Sequence, residues 1–247
     1  MCGRFVMAKS ELELAAHYET EAIVGKLPEA NYNVAPTQQI ATLVLRPDQR
    51  DATGKPMPPF HRELYSARWG LIPGWQRQPT GAPLINARIE TVLEKPSFRA
   101  AAQRRCVVPA SGYYEWQTTD SSKQPFFISA AKHGDLINLA GLYEWWRNPI
   151  ASGAGESDGD IWMLTVTLIT TAAPAGLNAI HDRAPLIIRN QSLAEWLDPA
   201  TITTENWLAD FRSEAAAETE NLDWYQVDKS VGSIRNNGPK LIERTGA

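Results

Sequence analysis

Cysteine and histidine are scarce in this chain, and their scarcity limits its chemistry. Cys2 and Cys106 are the two cysteines among 247 residues. Two cysteines are too few for a disulfide framework, so the chain fits a reducing compartment. The four histidines are scattered and have no metal-ligand spacing with the distant cysteines. We therefore expect no metal and no other cofactor.

Long apolar runs are missing as well. The chain has no run of about 18 apolar residues, and its N-terminus lacks a basic region followed by an apolar one. These absences predict neither a membrane span nor a secretory signal, so we expect an intracellular protein of the bacterial cytoplasm, with the nucleus as the alternative. The net charge of −4 argues against a protein that is basic all over. Any contact with nucleic acid then requires a local cluster of arginines.

Short β-prone segments bounded by turn residues make up most of the chain. A capping box that begins at Ser10 and ends at Glu13 predicts a helix from about 11 to 18. The other local predictions are helical spacing at 192–197 and 204–217, loops at 46–59 and 149–160, and a short closing strand at 240–242.

This pattern predicts the fold class. Many short strands at close spacing with few helices indicate a strand-rich α+β fold around a barrel-like or folded sheet. A chain that is 43% hydrophobic can bury a substantial core, and no linker forces it to divide. We predict a single domain over residues 2–240, followed by a C-terminal tail over 241–247.

The N-terminus carries the first chemical feature. If Met1 is removed, the chain starts with Cys2, which then holds an α-amine and a thiol on adjacent carbons. The amine can condense with an aldehyde to an imine, and the thiol can close on the imine carbon to give a thiazolidine. An α-amine has an ordinary pKa of about 7.7–8.0 and is partly neutral at pH 7. On position alone, a small apolar residue near an ordinary terminus is the simpler interpretation.

Three further segments carry polar groups in chemically suggestive settings. Asn86 and Arg88 are two residues apart on a β-prone run, so both side chains would share one face. Glu115 lies between aromatic residues, where a desolvated carboxylate could serve as a general acid. His181 precedes Asp182 and Arg183 in a polar loop, and histidine readily exchanges protons near neutral pH. Each has a structural alternative: a solvated strand face, an exposed carboxylate, a structural histidine.

Six segments together are far more specific than any one of them. In chain order they are 1–5 (MCGRF), 32–36 (YNVAP), 69–75 (WGLIPGW), 85–91 (INARIET), 112–116 (GYYEW) and 180–185 (IHDRAP). This set resembles the SRAP family, the SOS-response-associated peptidases, which process or shield abasic sites in DNA. The resemblance runs from residue 2 to about 238. It implies a barrel-like β core with flanking helices.

The resemblance also implies roles for individual residues. Four are implied to be catalytic: Cys2 as the nucleophile, Asn86 as the residue that holds it, Glu115 and His181. For DNA binding it implies that Arg4, Arg88 and Arg183 contact the DNA backbone and that Trp75 lies beside the path of the DNA. It also implies a cleft lined by Asn33, Pro36 and Thr170.

The function implied is covalent. Cys2 would crosslink to an abasic site in single-stranded DNA through a thiazolidine, in a protein that acts as a monomer without membrane or metal. Two alternatives stay open. One is an N-terminal cysteine peptidase that acts on itself, and the other is a non-covalent binder of single-stranded or damaged DNA.

Overall fold

The structure is a computed structural model, and it describes residues 2–119, 122–132, 134–148 and 162–245. The strands of the described chain are β1 (Arg4–Met7), β2 (Ala22–Val24), β3 (Asn31–Val34), β4 (Gln39–Arg50), β5 (Pro56–Trp69), β6 (Asn86–Arg88), β7 (Arg105–Ala110), β8 (Gly112–Thr118), β9 (Lys123–Ala130), β10 (Ile137–Arg147), β11 (Trp162–Ala172), β12 (Arg183–Pro185), β13 (Ile187–Ile188) and β14 (Leu222–Gln226). The α-helices are α1 (Glu11–Tyr18), α2 (Pro96–Arg99), α3 (Leu193–Leu197) and α4 (Glu205–Glu218).

Five strands close into a ring. Antiparallel pairing runs from β5 through β4, β7 and β10 to β11. A parallel pairing of β11 with β5, at Thr165 with Arg68 and Val166 with Trp69, joins the two ends. Buried apolar side chains of these strands, among them Leu43, Val107 and Leu168, form the main core. The predicted strand-rich single domain with a barrel-like core and flanking helices is confirmed.

A second sheet continues from the ring and carries the N-terminus. Its strand order is β14, β9, β8, β1, β3. β7 runs into β8 through Ser111, whose amide donates to the carbonyl of Val6 on β1. Arg4 on β1 faces Tyr114 on β8 across an antiparallel pair. The start of the chain is therefore held beside the strand that carries Glu115.

Helix α1 forms for the local reason that the sequence indicates. The Ser10 side chain accepts from the Glu13 amide, and the Glu13 side chain accepts from the Ser10 amide. This capping box satisfies amides that the first helical turn would otherwise leave without partners. Leu14 and Tyr18 then face the core. The predicted helix is confirmed at residues 11–18.

Two local predictions are wrong. Residues 46–59 are mostly strand, because β4 and β5 form a long hairpin whose turn lies at 51–55. The prolines are accommodated by an irregularity at Pro47 and by the start of β5, positions that proline tolerates. Residues 240–242 lie in a 3₁₀ turn, Pro239–Ile242, that buries Leu241. The predicted 149–160 loop lies outside the described residues. None of the described helices is long and apolar enough to cross a membrane.

Candidate active site at the N-terminal cysteine

Cys2 lies just before β1 and is completely buried. Its thiol lies 3.9 Å from the carbonyl oxygen of Arg4, to which it can donate. Burial raises the pKa of this thiol above its ordinary value, and the negative charge of Glu115 raises it further. The thiol is therefore held in its protonated form near neutral pH.

Asn86 fixes the backbone of Cys2. Its side-chain Nδ2 donates to the Cys2 carbonyl oxygen at 2.8 Å. Asn86 reaches this position because β6 pairs in parallel with β11, with Asn86 opposite Leu168. The Oδ1 atom of Asn86 is buried and has no hydrogen-bond partner in the described part of the chain. This oxygen is therefore an acceptor available to a donor that enters the site.

Glu115 lies in the middle of β8 and is 5% exposed. One of its carboxylate oxygens accepts from the amide of Trp116 at 3.3 Å. Its charge acts on Tyr113 as well as on Cys2: burial, then the charges of Cys2 and Glu115, raise the pKa of the Tyr113 phenol. Cys2, Tyr113 and Glu115 thus form one buried cluster.

His181 follows a 3₁₀ turn, Leu177–Ala179, that is tied to β8 by a hydrogen bond from Gln117 to the Ala179 carbonyl at 2.9 Å. Its Nδ1 lies 2.9 Å from the backbone amide of Arg183 and 2.8 Å from a carboxylate oxygen of Asp182. The amide contact fits an unprotonated Nδ1, and the carboxylate contact fits a protonated one. Nδ1 of His181 thus has a partner whether or not it carries a hydrogen.

Arg183 is engaged within the protein. Its Nη1 and Nη2 donate to the two carboxylate oxygens of Glu90 at 2.8 and 3.0 Å, and Nη2 also donates to the Thr170 carbonyl at 2.7 Å. The side chain is 11% exposed. Thr170 is fully buried, with its hydroxyl 3.4 Å from the Ala87 carbonyl. The group Glu90–Arg183–Thr170 therefore ties together the segment after β6, β11 and β12.

Arg4 and Asn33 are also engaged, in a group that pins the 3₁₀ turn Lys229–Gly232. Arg4 donates to the Asn33 side chain at 2.8 Å and to the carbonyls of Val231 and Gly232 at 3.0 and 3.2 Å. The Asn33 side-chain amide donates to the same Val231 carbonyl and to the carbonyls of Ser233 and Asn236. Burial lowers the pKa of the Arg4 guanidinium from its ordinary value.

The remaining residues that are predicted to contact DNA are accessible to solvent. Arg88 is exposed, and its side chain makes no hydrogen bond or ion pair with any described residue. Trp75 is 68% exposed and borders a small pocket of about 170 Å³ together with Arg68 and Gln76. Pro36 is half-buried at the turn that follows β3. Exposed cationic and aromatic side chains are suited to phosphate and base contacts.

The structure brings Cys2, Asn86 and Glu115 into one cluster, and a hydrogen bond between neighbouring segments joins the loop of His181 to β8. Two residues of this region are missing from the sequence-based predictions. Tyr113 shares the buried cluster, and Glu90 holds Arg183; both lie inside the quoted segments 112–116 and 85–91. Among the described residues, no group of three or more His, Cys, Asp or Glu side chains could hold a metal ion.

Comparison with solved structures gives the class of fold. A protein from Bacteroides thetaiotaomicron has a TM-score of 0.73 at 23% identity, with 99% of this chain and 100% of that chain covered. A protein from Bordetella bronchiseptica has a TM-score of 0.67 at 21% identity, with 92% of this chain and 100% of the other covered.

The chain belongs to the SRAP family, SOS response associated peptidase, which matches residues 1–234. Abasic site processing protein YoqW of Bacillus subtilis (strain 168) is 35% identical, over 98% of this chain and 99% of its own. Abasic site processing protein YedK of Escherichia coli (strain K12) is 32% identical, over 98% and 99%. Abasic site processing protein HMCES of Xenopus tropicalis is 29% identical, over 98% of this chain and 78% of its own. The family resemblance of the six segments is confirmed.

Proposed function

We propose that this protein processes abasic sites in single-stranded DNA by forming a covalent crosslink through Cys2. The observation that supports this most strongly is the setting of Cys2. The Cys2 carbonyl accepts a hydrogen bond from Asn86. Burial and the negative charge of Glu115 raise the pKa of the Cys2 thiol. The names of the relatives, abasic site processing proteins, agree with the proposal.

The order of steps follows from the state of the two nucleophiles. The raised pKa of the thiol keeps it protonated, whereas an α-amine freed by loss of Met1 has an ordinary pKa of about 7.7–8.0. The amine therefore attacks the C1′ aldehyde of the opened sugar first. The carbinolamine loses one water to give an imine, with Glu115 carrying the protons. The thiol then adds to the imine carbon, its proton passes to the nitrogen, and a thiazolidine forms.

Before this reaction the abasic sugar must open, because it is mostly a closed hemiacetal. His181, whose ring is oriented by the Nδ1 contacts with Asp182 and the Arg183 amide, is suited to assist that proton transfer. An abasic nucleotide has no base to stack, so exposing its sugar costs less than flipping an intact nucleotide. We therefore expect a preference for single strands over intact duplex.

A denaturing gel of the purified protein with abasic single-stranded DNA tests the proposal. The mature chain should give a crosslinked band, and a chain with one extra residue ahead of Cys2 should not, because its nitrogen is an amide. Cys106→Ala is the matched control, since Cys106 is an equally buried cysteine with no assigned role. A crosslink that persists with the extra residue would rule out attack by the Cys2 amine.

The role of Glu115 is tested with Glu115→Gln. This change removes the proton carrier but keeps the shape of the side chain, so crosslinking should slow by about 10²-fold or more. Binding to undamaged single strands should stay as in the wild type. A wild-type crosslinking rate in Glu115→Gln would exclude the acid–base role.

Asn86→Ala tests the positioning of Cys2. Loss of a hydrogen bond to a buried carbonyl costs about 1–3 kcal/mol, and about 1.4 kcal/mol corresponds to a tenfold change in rate. We expect single-turnover crosslinking to slow by about tenfold. The matched control is Asn138→Ala. In the wild type, Nδ2 of Asn138 donates to the Ile188 carbonyl at 3.0 Å. The control substitution should lower stability and leave the crosslinking rate of the folded protein unchanged.

The family description also names a peptidase. Incubation with a casein-type substrate separates this activity from crosslinking, and intact mass shows whether residues ahead of Cys2 have been removed. Cleavage of the protein substrate without any DNA crosslink would favour the peptidase.

A further inference from the structure

A second pocket lies against the β4–β5 hairpin, the start of β7 and the middle of β10. Its volume is about 350 Å³, and its described lining residues are Leu45, Arg46, Pro47, Arg50, Pro56, Gln103, Arg104, Arg105, Tyr143, Trp145, Leu197 and Pro199. Four of these are arginines, two are aromatic, and no described lining residue is acidic. In a chain with a net charge of −4, this concentration of positive charge is unusual.

The pocket shares no lining residue with the candidate active site. On β11, Leu164 is opposite Trp145 and Leu168 is opposite Asn86. Four residues of strand span about 13 Å. The two sites are therefore separate along the sheet.

Arg105 gives the pocket a fixed positive charge. Its guanidinium donates to the carbonyls of Trp196, Asp198 and Thr201 and to the hydroxyl of Thr203. Burial lowers the pKa of Arg105 to about 10, so it remains charged at neutral pH. The nearby Asp198 carboxylate instead accepts from the Ala200 amide and the Thr201 hydroxyl. The charge of Arg105 is thus solvated by neutral dipoles.

Two other arginines have donors to spare. Arg46 forms a long ion pair with Glu63, with its Nε 3.9 Å from the carboxylate oxygen and no hydrogen bond between them, and its side chain is 43% exposed. Arg50 is exposed and uses one nitrogen to donate to the Gly54 carbonyl at 2.9 Å. Arg104, by contrast, is paired with Glu144. Arg46 and Arg50 can therefore present free N–H groups to an anion at the pocket mouth.

The two aromatic side chains that line the pocket offer ring surfaces. Tyr143 and Trp145 are two residues apart on β10, so they point to the same face of the strand. Trp145 is held edge-on by Tyr65, with ring centroids 5.6 Å apart. A ring held in one orientation loses little entropy when a ligand stacks on it.

We propose that this pocket binds a nucleotide unit, with the phosphate at Arg46 and Arg50 and the base against Tyr143 and Trp145. Arg–phosphate hydrogen bonds and base–aromatic stacking are the interactions that recognise such a unit. The unit can come from a free mononucleotide or from a single strand that extends beyond the lesion. This inference does not depend on the crosslinking chemistry of Cys2.

Calorimetric titration of the full chain tests the proposal with thymidine monophosphate, thymidine, inorganic phosphate and an undamaged oligothymidylate. Arg46→Gln/Arg50→Gln should weaken binding of the monophosphate or the oligothymidylate by about tenfold or more, since it removes the charge-assisted hydrogen bonds to the phosphate. Thymidine and inorganic phosphate alone should bind about tenfold more weakly than the monophosphate. If the double substitution weakens the affinity for the monophosphate alone, the natural ligand is a free nucleotide. If it weakens the affinity for the oligothymidylate, the natural ligand is a single strand.

The charge-matched control is Lys26→Gln/Lys123→Gln, which removes two exposed cations away from the pocket. It should leave the monophosphate affinity unchanged. The circular dichroism of both double variants should match the wild type, because all four side chains lie at the surface. Wild-type affinity of Arg46→Gln/Arg50→Gln for both ligands, or thymidine binding as tightly as its monophosphate, would overturn the proposal.

Discussion

The three arginines expected to contact DNA at the active site differ in how many hydrogen bonds and ion pairs they make within the protein. This difference predicts that substituting each one changes the salt dependence of DNA affinity by a different amount. Both terminal nitrogens of Arg183 donate hydrogen bonds to the Glu90 carboxylate. Arg4 donates hydrogen bonds to the Asn33 side chain and to backbone carbonyls. Arg88 is exposed, and its side chain has no ionic or hydrogen-bonded partner among the described residues. Of the three, Arg88 is therefore the one whose charge is available to replace a counterion on the strand.

The magnitude follows from counterion release. For single strands, the slope of log K against log salt is about −0.7 for each phosphate neutralised. Arg88→Gln should make the slope shallower by about 0.7. Over a fourfold increase in salt, from about 50 to 200 mM, the wild type then loses about 2.6-fold more affinity than the variant. Arg183→Gln should leave the slope unchanged and should lower the stability of the fold instead.

Fluorescence anisotropy with a labelled, undamaged oligothymidylate measures this slope, and the absence of an abasic site keeps crosslinking out of the measurement. Urea denaturation of the same proteins reports their stability. If Arg183→Gln makes the slope shallower by as much as Arg88→Gln does, its ion pair with Glu90 opens when DNA binds, and the reasoning from the unbound geometry is wrong.

Three further predictions concern stability. Hydrogen bonding to its arginine partner lowers the pKa of Glu90 below 4.5, so its contribution is complete above that pH and is lost in acid; the melting temperature of Glu90→Gln should lie below that of the wild type at pH 7 and approach it as the pH falls. Hydrogen bonds to Glu21 and Asp48 raise the pKa of His61 from 6.5 to about 9, so its contribution is complete below pH 6.5 and is lost through pH 9; the deficit of His61→Gln in thermal melts should disappear in alkali, and a constant deficit would contradict the assignment. Ser10→Ala should lose about 1 kcal/mol in urea denaturation, and Ser10→Thr should retain most of it.

Local interactions account for the parts of the fold that the sequence predicts well. The capping box of α1 involves residues three apart, so its signal is complete within one turn. Asn86 and Arg88 share a face because side chains alternate along any strand. The prediction for 46–59 failed for a related reason: proline normally indicates a break, but an edge or irregular position lets the strand continue.

Long-range pairing accounts for what the sequence does not predict. Asn86 meets Cys2, 84 residues away, because β6 pairs with β11 and β1 with β8. Glu90 meets Arg183 across 93 residues for the same reason. Neither contact leaves a periodic signal in the chain. The family resemblance identified Asn86 and Arg183, but the partner Glu90 is apparent only once the strands are in register.

The burial of Cys2 also has a consequence for how a reactive terminus survives in the cell. Thiolates are the species that oxidise and exchange with other thiols, and burial together with the Glu115 charge keeps this thiol protonated. Such a thiol would be a poor nucleophile towards a molecule arriving from solution. In the proposed reaction it acts only after the amine of the same residue has formed the imine, when the reacting atoms are already adjacent. The gain from proximity, as much as about 7–11 kcal/mol in well-oriented intramolecular reactions, acts against the cost of removing a proton from a thiol whose pKa is raised by burial. The same burial can thus protect the cysteine and still permit ring closure.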